Sequence, residues 1–354
     1  MNGAQGKEPI VLSVSEIERL ALRALEANGA SERQAGSLAQ AIAAAERDGI
    51  RSHGLMYLAT YCEHLRCGKV DGESTPTLER TAPGVIVVDA MTGFAHPAID
   101  LGLEALIPAA REEGAALLAI RNSYNCGVLG YHTERIARQG LVGLGFTNAP
   151  ASIAPWGALK PVLGTNPWSV AAPDGRGGAV FVIDQSASVV AKSEVMKKAR
   201  AGEPIPPGWA LDQDGRPTTD GAAALRGTMM PSGGAKGVGA ALLVELMAAC
   251  LTGATPGLQA SPFSGPLGGP PRTGQLFIAI DPRRTAGGAF ADRLATVAEA
   301  FAAEPGSRLP GTRRFWARAD AEREGVPVAP DLLERARQLA AVPRGPRASQ
   351  AHVG

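Results

Sequence analysis

The strongest constraint on this chain is the succession of its apolar patterns. Three helix-period segments fill roughly the first seventy residues, and short apolar runs alternating with further helix patterns follow. Ser13-Val14-Ser15-Glu16 reads as a capping box, with Ile17, Leu20, Leu22 and Leu25 behind it and Asn28-Gly29 as the stop. A second box, Ser31 to Gln34, opens a helix through Leu38, Ile42 and Ala45 to Asp48-Gly49. A third begins near His53, carries Leu55, Leu58, Cys62 and Leu65 on one face, and stops at Gly68. Val85 to Val88, Ala115 to Ile120, Leu141 to Phe146, Val180 to Ile183 and Leu276 to Ile280 read as strands. Pro97 suits the start of a helix bearing Leu101, Leu103, Leu106 and Ile107. This order predicts an α/β architecture behind a helical N-terminal segment.

At 354 residues the chain exceeds one ordinary core, so two units are expected. Residues 11–80 with 305–342 form the helical substrate and dimerisation unit in this reading. Residues 81–304 form the α/β dinucleotide unit, and 343–354 a disordered tail. The 44 glycines and 27 prolines show no Gly-X-Y period, so they go into turns and long loops. Thr252 to Thr273 is such a loop, too long for a mere connector. Asp214-Gly215 reads as a hairpin tip.

Lys plus Arg (35) nearly cancels Asp plus Glu (34), which leaves no field to draw nucleic acid or an anionic membrane. Aromatic residues at 5% are too few for base stacking. Four cysteines make no disulfide framework, and Met1 to Val11 contains no apolar signal core, so a cytoplasmic protein is expected. Val238 to Ala254 is interrupted by Glu245 and falls short of the about 20 residues a membrane span needs; a buried core helix is expected.

Among the histidines (His53, His64, His96, His132, His352) no two stand four apart, and neither HExxH nor CxxC occurs, so no metal site is expected. Cys62 and His64 would lie about 200° apart on a helix and are read as core and surface positions. Ser52-His53-Gly54 stands at a helix start, where free N–H groups can hold an anion and a histidine can act as acid or base; a capping serine beside an incidental histidine is the alternative. Gly233-Gly234-Ala235-Lys236-Gly237 offers a phosphate contact or only a flexible start to the next helix. It has neither the Walker spacing nor a preceding strand, so it is no Rossmann fingerprint. Asp184-Gln185-Ser186-Ala187-Ser188 follows a strand and could meet a ligand or simply turn. Leu163-Gly164-Thr165-Asn166-Pro167 marks a tight turn with exposed amides. Arg308 to Arg314 is a basic turn or a solvated face.

In series these elements are more specific than singly. Ser52-His53-Gly54, Gly164-Thr165-Asn166-Pro167, Asp184-x-x-x-Ser188, Trp209-Ala210-Leu211-Asp212, Gly233-Gly234-x-Lys236-Gly237, Leu251-Thr252-Gly253 and Leu309-Pro310-Gly311 together resemble the type-2 malate/L-lactate dehydrogenase family over roughly Val11 to Ala340. That family also contains sulfolactate dehydrogenases, ureidoglycolate dehydrogenase, diketogulonate reductase and cyclic-imine reductases acting on piperideine- or pyrroline-2-carboxylate. The resemblance implies a non-Rossmann fold, NAD or NADP as cofactor, and a homodimer with its active site near the subunit interface.

It further implies His53 as proton donor and acceptor, with Asp184 orienting and charging it. Ser52, Arg51, Tyr57, Asn125, Lys160 and Thr165 are the substrate-side candidates. Asn166, Gln185, Ser186, Ser188, Lys236, Gly237, Pro310 and Gly311 are those for the dinucleotide. Arg308, Arg313, Arg314 and Lys192 are candidates for a 2′-phosphate. Two departures stand out. Tyr57 occupies the position of an arginine that clamps carboxylate in many members, which turns attention to Arg51 and then Lys160. Asn125 occupies that of a second histidine, which shifts the chemistry onto His53. The expected activity is hydride transfer between NAD(P)H and a small 2-oxo or 2-hydroxy acid. Cyclic-imine reduction is the alternative, and a non-catalytic dinucleotide-binding homologue is the reading from another class.

Overall fold

A computed structural model describes residues 8–343, which leaves nearly all of the expected disordered tail outside the described residues. The chain opens with β1 (Ile10–Leu12), α1 (Val14–Ala27), α2 (Glu32–Arg47) and α3 (Leu55–Arg66). Next come β2 (Thr77–Ala82), β3 (Val85–Asp89), α4 (Ala95–Glu113), β4 (Ala115–Ser123), α5 (Leu129–Ala137) and β5 (Val142–Thr147). The middle holds β6 (Trp168–Pro173), β7 (Ala179–Gln185), α6 (Lys192–Ala201), β8 (Ala210–Leu211), α7 (Gly221–Arg226), β9 (Thr228–Met229) and α8 (Ala235–Glu245). The last part has β10 (Thr273–Ile280), α9 (Pro282–Thr285), α10 (Ala289–Ala303), α11 (Thr312–Glu324), β11 (Val326–Val328) and α12 (Pro330–Ala340).

The first capping box forms as read: Glu16 N–H donates to Ser13 Oγ (3.2 Å) and Ser13 N–H to Glu16 Oε2 (2.8 Å). The second forms only in half. Gln34 N–H reaches Ser31 Oγ (3.4 Å), but the Gln34 side chain donates to the Ser74 carbonyl (2.8 Å) and accepts from Phe94 N–H (2.9 Å). Gln34 is fully buried, and satisfying two buried backbone groups there outweighs a surface cap.

Seven strands make the main sheet, in the order β2-β3-β4-β10-β5-β6-β7. The late strand β10 runs antiparallel between β4 and β5, pairing Leu276 with Ala119 on one side and Phe146 on the other. Within this sheet β3 and β4 are parallel, joined through α4, while the other pairs are antiparallel. The architecture is therefore mixed α/β. Strands β2 and β6 escape the sequence reading: β2 is an outer strand with every residue exposed, and β6, Trp168–Pro173, is a short run that ends in a proline. Neither shows a clean apolar alternation.

The first and last strands of the described residues pair with each other. Strand β1 pairs antiparallel with β11, and Val326, Val328, Leu333 and Ala336 join Ile17, Leu25, Leu38, Leu55 and Leu58 in one core. A second core lies between the sheet and α4 and α5; a third joins Ile153, Leu163, Ala187, Val195 and Met229 near the start of α8.

The apolar helix departs from its expected burial. It ends as α8 at Glu245 and continues as a π turn over Leu246–Cys250, with Leu242 and Leu251 each 59% exposed. Gly237, Ala241, Val244, Glu245, Ala248 and Ala249 are buried, and Val238, Ala240 and Met247 are half-buried against the cores. Glu245 is buried because its carboxylate accepts Gly257 N–H (2.6 Å) and Asn166 Nδ2 (2.7 Å). No described helix is long and apolar enough to cross a membrane.

Arg318 locks α11 against α2 and α5. Its guanidinium holds Asp48 (2.7 Å) and Glu134 (2.6 Å), both carboxylates 5% exposed. Burial works to raise the Glu134 pKa, but the hydrogen bonds and charges of Arg318 and Arg138 outweigh it and the pKa is lowered. A lowered carboxylate stabilises the fold above its unfolded pKa and loses that contribution as pH falls through the folded value. Arg318→Ala strands two buried carboxylates and should cost about 3–5 kcal/mol in urea unfolding at pH 7, with a smaller loss at pH 4. An equal loss at both pH values would contradict this account.

Candidate active site

His53 closes a single 3₁₀ turn, Arg51–His53, between α2 and α3. The backbone of that turn is not the open anion seat the sequence suggests. His53 N–H donates to Ile50 O (3.1 Å), Gly54 N–H to Arg51 O (3.1 Å), and Leu55 N–H to Glu46 Oε1 (2.7 Å). Glu46, buried on α2, thus caps α3 with the carboxylate that a ligand would otherwise supply. Gly54 is required for this approach, since a Cβ there would lie 2.2 Å from Glu46 Oε1. Burial raises the Glu46 pKa, against the Leu55 N–H and the charge of Arg51.

The His53 ring is half-buried. Its Nδ1 lies 3.1 Å from Ser52 Oγ, and its face stacks near Tyr57 with ring centroids 6.5 Å apart. Burial lowers its pKa, and the charge of Asp184 works in the opposite sense. Asp184 does not orient the ring through a hydrogen bond, contrary to the expectation. Its Oδ2 accepts Gly130 N–H (2.8 Å) and Arg314 Nη2 (3.2 Å). Arg314 is itself buried and needs a counter-charge, so it takes the carboxylate and leaves His53 with a field effect alone. His96 and His132 are buried in the core beside Cys126; burial holds the first down to about 4 and the second well below its ordinary value.

A wall of phenols extends from His53. Tyr57 Oη donates to the carbonyl of Phe263 (3.0 Å) and makes polar contact with Tyr124 and Asn125. Tyr124 Oη is hydrogen-bonded to His64 Nδ1, and His64 Nε2 lies 3.1 Å from the Gly265 carbonyl. His64 is buried, not a surface position, because the Gly/Pro-rich loop folds over that side of α3. The sequence reading placed His64 at the surface and did not mark Tyr124 or Phe263; the spacing of Tyr57, Tyr61 and His64 on one helix was the available signal. Asn125 Oδ1 accepts Gly127 N–H (2.6 Å) and fixes that loop. Arg51 is exposed on the His53 turn. Lys160 is exposed as well.

Three predicted ligand loops do converge. Ala187 N–H donates to Thr165 O (2.8 Å), Ser232 N–H to Ala187 O (2.8 Å), and Ser188 bridges Pro231. The Pro310-Gly311 turn joins them through Val182 N–H to Pro310 O (3.0 Å). Several expected cofactor residues are nonetheless committed to the protein. Asn166 is fully buried, its amide holding Ala149 N–H, Ala241 O and Glu245 rather than offering exposed amides. Ser188 is buried and donates to Val190 O (2.7 Å). Gly237 is buried because the Ser232 carbonyl approaches to 2.2 Å of where its Cβ would be.

Other positions remain open. Gln185, Lys236 and Pro310 are exposed, while Ser186, Thr165 and Gly311 are half-buried. Arg308 and Arg313 are exposed beside the Pro310 turn, whereas Arg314 is held by Asp184. Lys192 is half-buried with Ser152 Oγ at 3.3 Å. Exposed cations and an uncapped α8 N-terminus around one cluster are a donor set that suits a dinucleotide phosphate.

The chain matches the malate/L-lactate dehydrogenase family over residues 12–336. It is 47% identical over 310 residues to a (2R)-3-sulfolactate dehydrogenase (NADP(+)) of Chromohalobacter salexigens, covering 88% of this chain and 92% of that one. It is 41% identical to a Delta(1)-pyrroline-2-carboxylate reductase of Ancylobacter novellus, covering 97% and 99%. The crystal structure of delta1-piperideine-2-carboxylate reductase from Pseudomonas syringae pvar. tomato superposes with a TM-score of 0.88 at 37% identity, covering 93% and 99%. By sequence and by fold, then, this chain belongs to the malate/L-lactate dehydrogenase family.

Proposed function

We propose that this chain is an NADP-preferring oxidoreductase that interconverts a small 2-oxo acid with its 2-hydroxy acid, using His53 as general acid and base. The observation that carries the reading is His53, half-buried in the field of Asp184, on the chain that also gathers the Thr165, Ala187, Ser232 and Pro310 loops. The NADP(+)-linked relative supports the cofactor and the substrate class. Lys236, Gln185, Arg308 and Arg313 are the side chains that would meet the cofactor phosphates. NADPH supplies the hydride when bound. His53 holds the proton for the developing alkoxide and takes it back in the oxidative direction. Tyr57 beside it excludes water and sets the width of the pocket.

Cyclic 2-imino acids are the second reading. It is favoured by Tyr57 in the place of a clamping arginine and by the pyrroline- and piperideine-2-carboxylate reductases among the relatives. A panel of 2-oxo acids and cyclic imines, assayed with NADPH and NADH, tests both readings. No turnover with any of them would leave a non-catalytic dinucleotide binder.

The exposed Leu242, Leu243, Leu246 and Leu251 give α8 an apolar face that suits a second copy of this chain. Sedimentation velocity should show about twice the 36.4 kDa chain mass, and a monomer at micromolar concentration would refute the dimer.

His53→Ala should lower kcat for a 2-oxo acid about 10²–10⁴-fold while leaving NADPH affinity nearly intact. In the wild type, kcat/KM for reduction should fall as pH rises through the His53 pKa, with a midpoint below the ordinary 6.5 because burial lowers it. Asp184→Asn removes the opposing charge, so an NMR titration of His53 should move to still lower pH. An unmoved midpoint would show that the Asp184 charge does not reach the ring.

A further inference from the structure

Three helices each turn one face toward a common hollow. From α5 come Tyr131, Glu134, Arg135 and its C-cap Arg138, at the spacing that puts side chains on one side of a helix. Gln40, Ala43, Ala44 and Arg47 do the same from α2, and Val14 and Glu18 from α1. The cavity between them measures about 310 Å³, and no substrate or dinucleotide candidate lines it. Its charge comes from the network that joins the helical segment to the sheet. Arg47 donates to Asp48 (2.8 Å), Arg138 to Glu134 (2.8 Å), and Arg318 holds both carboxylates. Three guanidiniums therefore share two carboxylates, and the arginines at the two ends of this row, Arg47 and Arg138, both line the cavity. Arg135 adds a third cation to the wall, while its partner Asp100 (2.6 Å) is not part of it. Tyr131 feels the charge of all three, and Arg135 lies over its ring at 5.5 Å. Among the described residues each of the three gives one nitrogen to its carboxylate and keeps the other donors of its fork. Glu134 has both oxygens taken by Arg318 and Arg138; the other acid on the wall is the half-buried Glu18.

We propose that this cavity is a binding site for a small di- or tricarboxylate, held by Arg47, Arg135 and Arg138 with Val14, Ala43 and Ala44 as its apolar side. Like charges around one hollow repel, and a multivalent anion turns that repulsion into attraction. Planar guanidinium forks match carboxylates two bonds at a time. A carbon chain between the carboxylates lets one molecule reach Arg47 on α2 and the arginines of α5 together. The alanines and Val14 suit that chain and offer nothing to a compact inorganic anion. Seated there, the acid ties α2, which leads into the His53 turn, to α5, whose Gly130 N–H holds Asp184. It stabilises the folded chain by linkage, because the unfolded chain has no such site.

Citrate is the probe, titrated by calorimetry into the full chain against sodium chloride of equal ionic strength, with inorganic phosphate as a second arm. Citrate should bind and raise Tm above the chloride control, and phosphate should bind more weakly. Arg138→Gln leaves Glu134 paired with Arg318 and should weaken citrate about 10–100-fold, as for the loss of a hydrogen bond to a charged group. Arg138→Lys keeps the charge without the fork and should fall between; it stands in if Arg138→Gln does not fold by its thermal melt. Glu18→Gln removes an opposing charge and should tighten citrate about threefold, the size of a half-exposed charge interaction. Lys236→Gln, in the cofactor cluster, should leave citrate affinity unchanged. Wild type that binds citrate no better than chloride overturns the proposal, as does unaltered affinity in the folded Arg138 variants. Loss of binding in Lys236→Gln would place the anion in the cofactor cluster instead. Phosphate binding as tightly as citrate, or weaker citrate binding in Glu18→Gln, overturns the assignment to a carboxylic acid.

Discussion

The ion pair between Asp184 and Arg314 is the contact on which the candidate site depends. Asp184 ends the outer strand β7, Arg314 comes from α11 more than a hundred residues later, and the Gly130 N–H at the start of α5 completes the carboxylate's set of partners. A buried guanidinium without a carboxylate would be strongly destabilising, and so would the reverse, so each fixes the other. Through this pair the C-terminal segment, which also returns to pair β11 with β1, is held against the sheet and near the His53 turn. Arg318 one turn further along α11 repeats the device with Asp48 and Glu134. The helical segment and the sheet are thus joined by charge at the place where their hydrophobic cores are separate.

Local signals were legible in the sequence wherever one short segment determines its own structure. Ser13 and Glu16 cap α1 because the two residues suffice for the motif, and the apolar run Leu276 to Ile280 becomes a strand because nothing else can bury it. The convergence of the Thr165, Ala187, Ser232 and Pro310 loops was foreshadowed only by their resemblance to a family, since no spacing rule links segments so far apart. Asn166 shows the limit of residue-type reasoning. An Asn before Pro in a turn suggests an exposed amide, yet Glu245 and two backbone groups claim it because an acid in an apolar helix needs a buried donor. The SHG turn failed as an anion seat for a related reason: Glu46, nine residues before the N–H it caps, was invisible as a partner until α2 and α3 were seen to turn back on each other.

The long apolar helix was misjudged because composition does not say how many faces are covered. Val244 and Ala248 pack against Phe146 and Leu276 of the sheet, whereas Leu242, Leu243 and Leu246 are exposed. Those leucines could be called core only if a second surface were present. The Gly/Pro-rich loop presents the opposite case. It has no regular structure, yet Tyr57, His64 and Lys69 hold three of its carbonyls, so what composition marks as a loop is fixed in place by side chains of a neighbouring element.

Those three contacts also have a chemical consequence. They fix a loop that covers one side of α3, the helix that begins beside the half-buried His53 ring and carries Tyr57. Desolvation lowers the His53 pKa against the charge of Asp184, so less imidazolium is present at a given pH than for an exposed histidine. A 2-oxo acid asks this site for a proton at the moment of reduction, whereas a protonated imine arrives with its own. In the proposed reaction that desolvation would weigh on reduction of a 2-oxo acid, which draws its proton from His53, more than on hydride transfer to an imine that is already protonated.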